Sequence, residues 1–353
     1  MHYLKGLYIF FSILALTIFF FSTTKVKAKA FEINNIEISK PFENNFNKNS
    51  VINIGFRKAF FELINTLVKS NDLKKIDEVK LTEIQSMVES FSIKEEKFVN
   101  QVYYVNLGVS FDKKKIFNYL EKKNILPSIP VKRKLLFIPI IIDENKKELL
   151  IFSNNKIYSE WNNYIEDSHL IEYILPTEDL EDLNLIKKRY EFIEEYDFKE
   201  ILNKYYLEDS IITLFFKNDK ETRILSRILI KNDIILKNQS YSIQDLNNEA
   251  QIKELILNLK SSYEDYWKKS NQINTSIKLP LNIKVNHKNN LKISKFEKVL
   301  NETDLIYNFF ISKFDKNFTY YKIIFNGTPN TFLKKMSDKN HSFNTQNKIW
   351  ILQ

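Results

Sequence analysis

The 353-residue chain has no cysteine, 4 glycines and 7 prolines. Without cysteine there are no disulfides, no thiolate metal site and no thiol nucleophile. A lipid anchor on a cysteine behind an export signal is excluded with them. Gly6, Gly55, Gly108 and Gly327 stand alone. No G-x-G-x-x-G, P-loop or G-x-S-x-G elbow is therefore present, although each needs glycine where backbone meets phosphate or bends at a nucleophile. Histidine is nearly as scarce. His2, His169, His287 and His341 are far apart and have no i, i+4 partner, so a metal is not expected.

The N-terminus carries more signal. Lys5 precedes an apolar run from Leu7 to Phe21, broken by Ser12 and Thr17, and Ala28-Lys29-Ala30 follows. This is the order of a secretory signal, with small residues where a peptidase needs them. Residues 1–30 are expected to leave after Ala30. The rival is an uncleaved anchor, because the run extended to Thr24 approaches bilayer length. Lys25, Lys27 and Lys29 beside the cleavage site favour that rival. No later stretch is long enough to span.

Net charge is +9, and Lys5, Lys25, Lys27 and Lys29 contribute 4 of it, which leaves +5 on residues 31–353. Lys, Asn, Ile, Phe and Tyr are abundant and share AT-rich codons. Genomic bias therefore accounts for much of the basicity, and with export it argues against a nucleic-acid partner.

The patterning divides residues 31–353 into three segments. In 31–130, Phe31 to Ile38 predicts a strand and Phe56, Phe60, Leu63, Ile64 and Leu67 one helix face. Strands at 90–99 and 103–111 are expected to turn at Val99-Asn100-Gln101, and Asp112 to cap a helix. Pro127 to Pro130 reads as a linker. Segment 131–278 opens with Leu135 to Ile142, a run suited to a strand buried on both faces. Pro139 within it predicts an edge or a bulge. A helix at 157–165, strands at 170–175 and 210–216, a hairpin turning at 231–233 and a helix at 246–267 follow. Segment 279–353 reads β-α-β-β-α-β, the ferredoxin-like order, with Trp350 expected in its core. The fold class is α/β (α+β), in three small two-layer domains.

Candidate chemistry is sparse. Glu178, Asp179, Glu181 and Asp182 could pair for glycosidic cleavage. They follow Pro176-Thr177, however, and acids in a first turn suit the helix dipole. Tyr103-Tyr104, Trp161, Trp267 and Trp350 could line a surface, but aromatics are 14% of the chain and core is the plainer expectation. Lys113-Lys114-Lys115 and Lys132-Arg133-Lys134 could meet an anionic surface, or be solvated. No catalytic, cofactor-binding or metal residue is assigned.

Phe31-Glu32-Ile33, Arg57-Lys58-Ala59-Phe60, "YYVNLGVSFDKKKIFNYL" from Tyr103, "KLLFIPIII" from Lys134, Trp161 and "ILPTEDLED" from Ile174 together resemble, over the full length, an exported proteobacterial family, domain of unknown function 2066. The family implies no activity and no functional residue. More loosely, the units are similar to envelope modules of the TolB N-terminal, flagellar and curli assembly kinds, which is likeness of fold alone. The expectation is a periplasmic, non-enzymatic interaction module for envelope assembly or integrity, with an envelope protein as partner. The alternatives are a carboxylate-dependent envelope hydrolase and a binder of small ligands between domains.

Overall fold

A computed structural model describes residues 31–242, 246, 248–286 and 290–353. Residues 1–30, where an export signal is expected, and His287 lie outside the described residues. Among the described residues the strands form three sheets with helices packed on them, so the chain is of mixed α+β class.

The first segment runs β1 (Glu32–Pro41), α1 (Lys48–Leu67), α2 (Ser70–Leu73), α3 (Leu81–Met87), β2 (Val88–Val99), β3 (Val102–Phe111) and α4 (Lys113–Lys122). Asn47 starts α1 by accepting from Asn49 N and Ser50 N at 2.9 and 3.3 Å, which satisfies donors no helical carbonyl can reach. Asp112 does the same for α4. Asn100 and Gln101 both have positive φ, the geometry a two-residue hairpin turn requires. The antiparallel sheet has the order β1-β3-β2. α1 lies over β1 and β3. Gly55 is needed at that contact, where a Cβ would run into Leu107.

The middle segment runs β4 (Arg133–Asp143), β5 (Glu148–Leu150), α5 (Lys156–Glu160), β6 (Ile171–Ile174), α6 (Leu180–Lys188), α7 (Lys199–Lys204), β7 (Ser210–Lys217), β8 (Thr222–Ile230), β9 (Asp233–Tyr241) and α8 (Glu249–Ser270). Its sheet is ordered β5-β4-β7-β8-β9, with β6 also on β4. One face packs on α8 and Trp161, the other on α6 and α7. The apolar run of β4 is therefore buried on both sides. Pro139 lies between the stretches of β4 that pair β6 (to Leu136) and β5 (from Ile141). Asn155 Nδ2 donates to its carbonyl at 3.0 Å. In this gap the missing N–H breaks no ladder bond, so β4 is an edge there although central in the sheet.

The last segment runs β10 (Leu279–Asn286), α9 (Asn290–Glu302), β11 (Ile306–Phe314), β12 (Phe318–Phe325), α10 (Pro329–Ser337), β13 (Phe343–Asn344) and β14 (Trp350–Leu352). The order β11-β12-β10-β14-β13 has the expected sequence of elements plus one extra strand. β14 folds back from β13 and enters beside β10, pairing it in parallel. Trp350 is half-buried against Phe332 and Phe343, with ring centroids 5.9 and 6.3 Å away. It is less deep than the sequence predicts because β14 lies near the sheet margin.

The segments are stitched rather than merely strung together. Residues of the first and last share one hydrophobic core. Tyr307 OH donates to Asn118 Oδ1 at 3.1 Å across their seam. Lys268 Nζ, on α8, donates to Asn65 O (2.6 Å) and Val68 O (3.0 Å), occupying carbonyls at the end of α1 that have no helical donor. The linkers zip together: Ile273 N donates to Pro127 O and Ile129 N to Asn271 O. The linker expected at Pro127–Pro130 is thus held by ordered hydrogen bonds.

Candidate functional site

Most sequence candidates are structural. Trp161 stacks on Phe137 at 3.8 Å between ring centroids, and Trp267 Nε1 donates to Val131 O at 2.6 Å. His169 accepts at Nδ1 from Glu166 N at 3.2 Å, and burial lowers its pKa. His341 Nδ1 lies 2.8 Å from Lys339 O. Among the described residues, no group of three or more His, Cys, Asp or Glu could hold a metal.

The acidic cluster separates into different roles. Asp179 caps α6 by accepting from Glu181 N at 2.7 Å. Glu178 Oε1 accepts from Ser153 N at 3.3 Å. Glu181 and Asp182 lie in the first turn of α6, as the sequence predicts, and Asp182 is in addition buried and paired with Lys204 Nζ at 2.6 Å. That lysine reaches back to Asp179 at 2.8 Å, and its hydrogen bond holds the Asp179 carboxyl below its ordinary pKa.

The basic runs are seams and ion pairs. Lys113 lies over the Phe31 and Phe117 rings, 3.8 Å from Asp304, and burial pushes its ammonium down to about 8. Lys114 donates to Asn308 Oδ1 and Lys115 to Ser86 O. Arg133 is bound to Asp209 and Glu208, and Lys134 to Glu172.

Tyr103 and Tyr104 point to opposite faces of their sheet, as neighbours on a strand must. Tyr103 is buried, and its hydroxyl donates to Glu96 Oε1 at 2.9 Å. Tyr104 is 44% exposed on the face away from α1.

Two surface features stand out around this sheet. The first is an apolar strip on the helix side of β2. Phe91, Ile93 and Phe98 lie opposite Val109, Leu107 and Tyr103, so they point inward by register. They are nonetheless 47%, 38% and 56% exposed. The cause is the placement of α1, which reaches β2 at its flank through the edge-on Phe56–Phe91 contact at 5.2 Å. Phe42 extends the strip, 4.7 Å from Phe98 and 4.8 Å from Phe46. Lys48 and Glu96 pair at 2.7 Å alongside it.

The second is a hollow of about 460 Å³ on the bare side, lined by Glu37, Ser39, Lys58, Glu95, Lys97, Tyr104 and Asn106 among others. Register places Ser39–Tyr104–Lys97 in one row and Glu37–Asn106–Glu95 in the next. Lys97 is paired with Glu95, and the hydrogen bond between them raises its pKa. Lys58 Nζ donates to Glu37 O at 3.3 Å.

Of the residues lining the hollow, sequence reasoning offered Tyr104 alone as a surface candidate. The strip could have been found, since Phe91, Ile93 and Phe98 on a strand without covering partners are a legible pattern. The hollow joins positions 37, 58, 95 and 104, and no local motif carries it.

No family model matches the chain, and no curated protein matches it. No described helix is long and apolar enough to cross a membrane.

Proposed function

We propose that the chain is an exported, non-enzymatic interaction module of the cell envelope, serving assembly or integrity, and that a protein partner docks along β2. One observation carries this reading: inward-facing Phe91, Ile93 and Phe98 remain open to solvent together with Phe42. Contiguous apolar surface of this kind is uncommon on a free protein and marks interaction sites, and aromatic residues dominate interface energetics. Open pairing of the β2 edge itself is disfavoured. A bulge between Ile93 and Glu95 and the charges of Lys94, Glu95, Glu96 and Lys97 blunt it. The partner accordingly meets the side-chain strip rather than adding a strand.

Export rests on the Leu7–Phe21 run and Ala28-Lys29-Ala30. N-terminal sequencing of the mature protein is expected to begin at Phe31. For docking, a photo-crosslinking phenylalanine analogue placed at Phe98 in intact cells should capture a defined envelope protein. The same analogue at Phe192, exposed on the middle segment, should not. Equal capture at both positions, or none at Phe98, overturns the docking surface.

A further inference from the structure

We propose that the hollow on the bare face of the β1-β3-β2 sheet is a binding site for a neutral carbohydrate chain. It lies on the opposite face from the apolar strip, so it stands whether or not a protein docks there.

The sheet has helices on one side only, and the hollow lies on the other. Two successive rows of cross-strand neighbours line it, Ser39–Tyr104–Lys97 and Glu37–Asn106–Glu95, and Lys58 reaches it from α1. The hollow's 460 Å³ falls within the roughly 300–1,000 Å³ of small-ligand sites.

Its chemistry selects the ligand class. Glu37 and Glu95 are matched by Lys58 and Lys97, so the lining has no net charge to favour an anion or a cation. The same lining is too polar for a lipid. It presents carboxylate acceptors, ammonium and amide donors, a serine hydroxyl and a single exposed aromatic ring. A pyranose chain meets these features together. Its hydroxyls both donate and accept, and its C–H face covers a tyrosine ring. An extended peptide would seek backbone partners at a sheet edge, and the hollow lies on the face.

The test uses the full exported chain and isothermal titration with three neutral probes: maltotetraose, cellotetraose and tetra-N-acetylchitotetraose. At least one is expected to bind. Tyr104→Ala should weaken that binding by roughly tenfold or more, with an unchanged melting temperature because the residue is on an open face. Tyr104→Phe should stay within about threefold, since the ring remains. A Glu95→Gln, Lys97→Met double variant should also weaken binding, by removing an acceptor and a donor while leaving the net charge unchanged. Failure of all three probes overturns the proposal. So does binding that Tyr104→Ala leaves intact, or tighter binding of a sulfated oligosaccharide than of its neutral parent.

Discussion

The first and middle sheets end in opposite environments, and their strands differ to match: β1 and β2 are largely polar, while β4 and β7 are nearly continuous apolar runs. The middle sheet is covered on both faces, and β4 is buried almost from end to end. The first sheet has helices on one face, and even there α1 leaves β2 uncovered. The middle segment therefore carries the rigid α/β core, while the first presents surface in two directions. The charges follow the same division. The middle segment buries Asp182, Asp209, Lys260 and Glu264 and gives each a named partner. In the first, Glu95 and Lys97 pair in the open.

The largest expected effect separates the two sheets by packing. Trp161→Ala in the middle core should cost about 3–5 kcal/mol, because a stacked, fully buried ring leaves a cavity. Phe91→Ala should cost about 1 kcal/mol, since nearly half of that ring is already in water. Chemical denaturation of both variants measures the gap. Equal losses would mean that the β2 strip is core, and the docking surface would go with it.

A smaller effect distinguishes their carboxylates. Asp182→Asn should cost about 1–3 kcal/mol, the range for hydrogen bonds to charged groups, because the buried acid loses charge facing Lys204. Glu95→Gln on the hollow should stay within about 0.5 kcal/mol. Thermal melts of the two variants side by side check this. A neutral Asp182→Asn would return that residue to the simple helix-terminus role the sequence suggests.

The Asp182–Lys204 pair marks where the sequence stops being informative. The strand at Leu135–Ile142 was legible because an apolar run of strand length has few other uses. The hairpin at 99–102 was legible because Asn accepts positive φ. Asp179 and Asp182 look alike in sequence; both reach Lys204, over twenty residues on, but only Asp182 is buried. Pro139 predicts an edge or a bulge; what it occupies is a local gap between β5 and β6 on an otherwise central strand. Trp350 sits beside the terminus in a hairpin that a single-strand reading cannot contain. The hollow was illegible for the same reason: strand pairing, not proximity in the chain, brings Glu37, Asn106 and Glu95 into one row.

The finest comparison is between two lysines. Lys260 is buried on α8, its ammonium donating to Tyr164 O at 2.6 Å. Burial pushes its pKa down to about 8, against an ordinary 10.5, although Glu264 and Glu166 pull the other way. Lys97, on the open hollow, has its pKa raised by the hydrogen bond to Glu95. The signs oppose. Between about pH 8 and 10.5 the unfolded chain keeps the Lys260 proton that the folded chain has released. Stability rises with pH wherever the unfolded state binds more protons, so Lys260 adds an upward slope across that window. Lys97 contributes stability that is present below its unfolded pKa and lost as pH rises through its folded one. Lys113, also near 8, slopes the same way as Lys260. The measurement must therefore be a difference between variants. From pH 7.5 to 10, the wild-type melting temperature should climb relative to that of Lys260→Met, which lacks this upward contribution. Lys97→Met should run parallel to wild type over this range, because the Lys97 contribution is lost only above its unfolded pKa of 10.5. Parallel curves for wild type and Lys260→Met would mean that the buried ammonium is solvated, and that the middle segment is less closed than its packing implies.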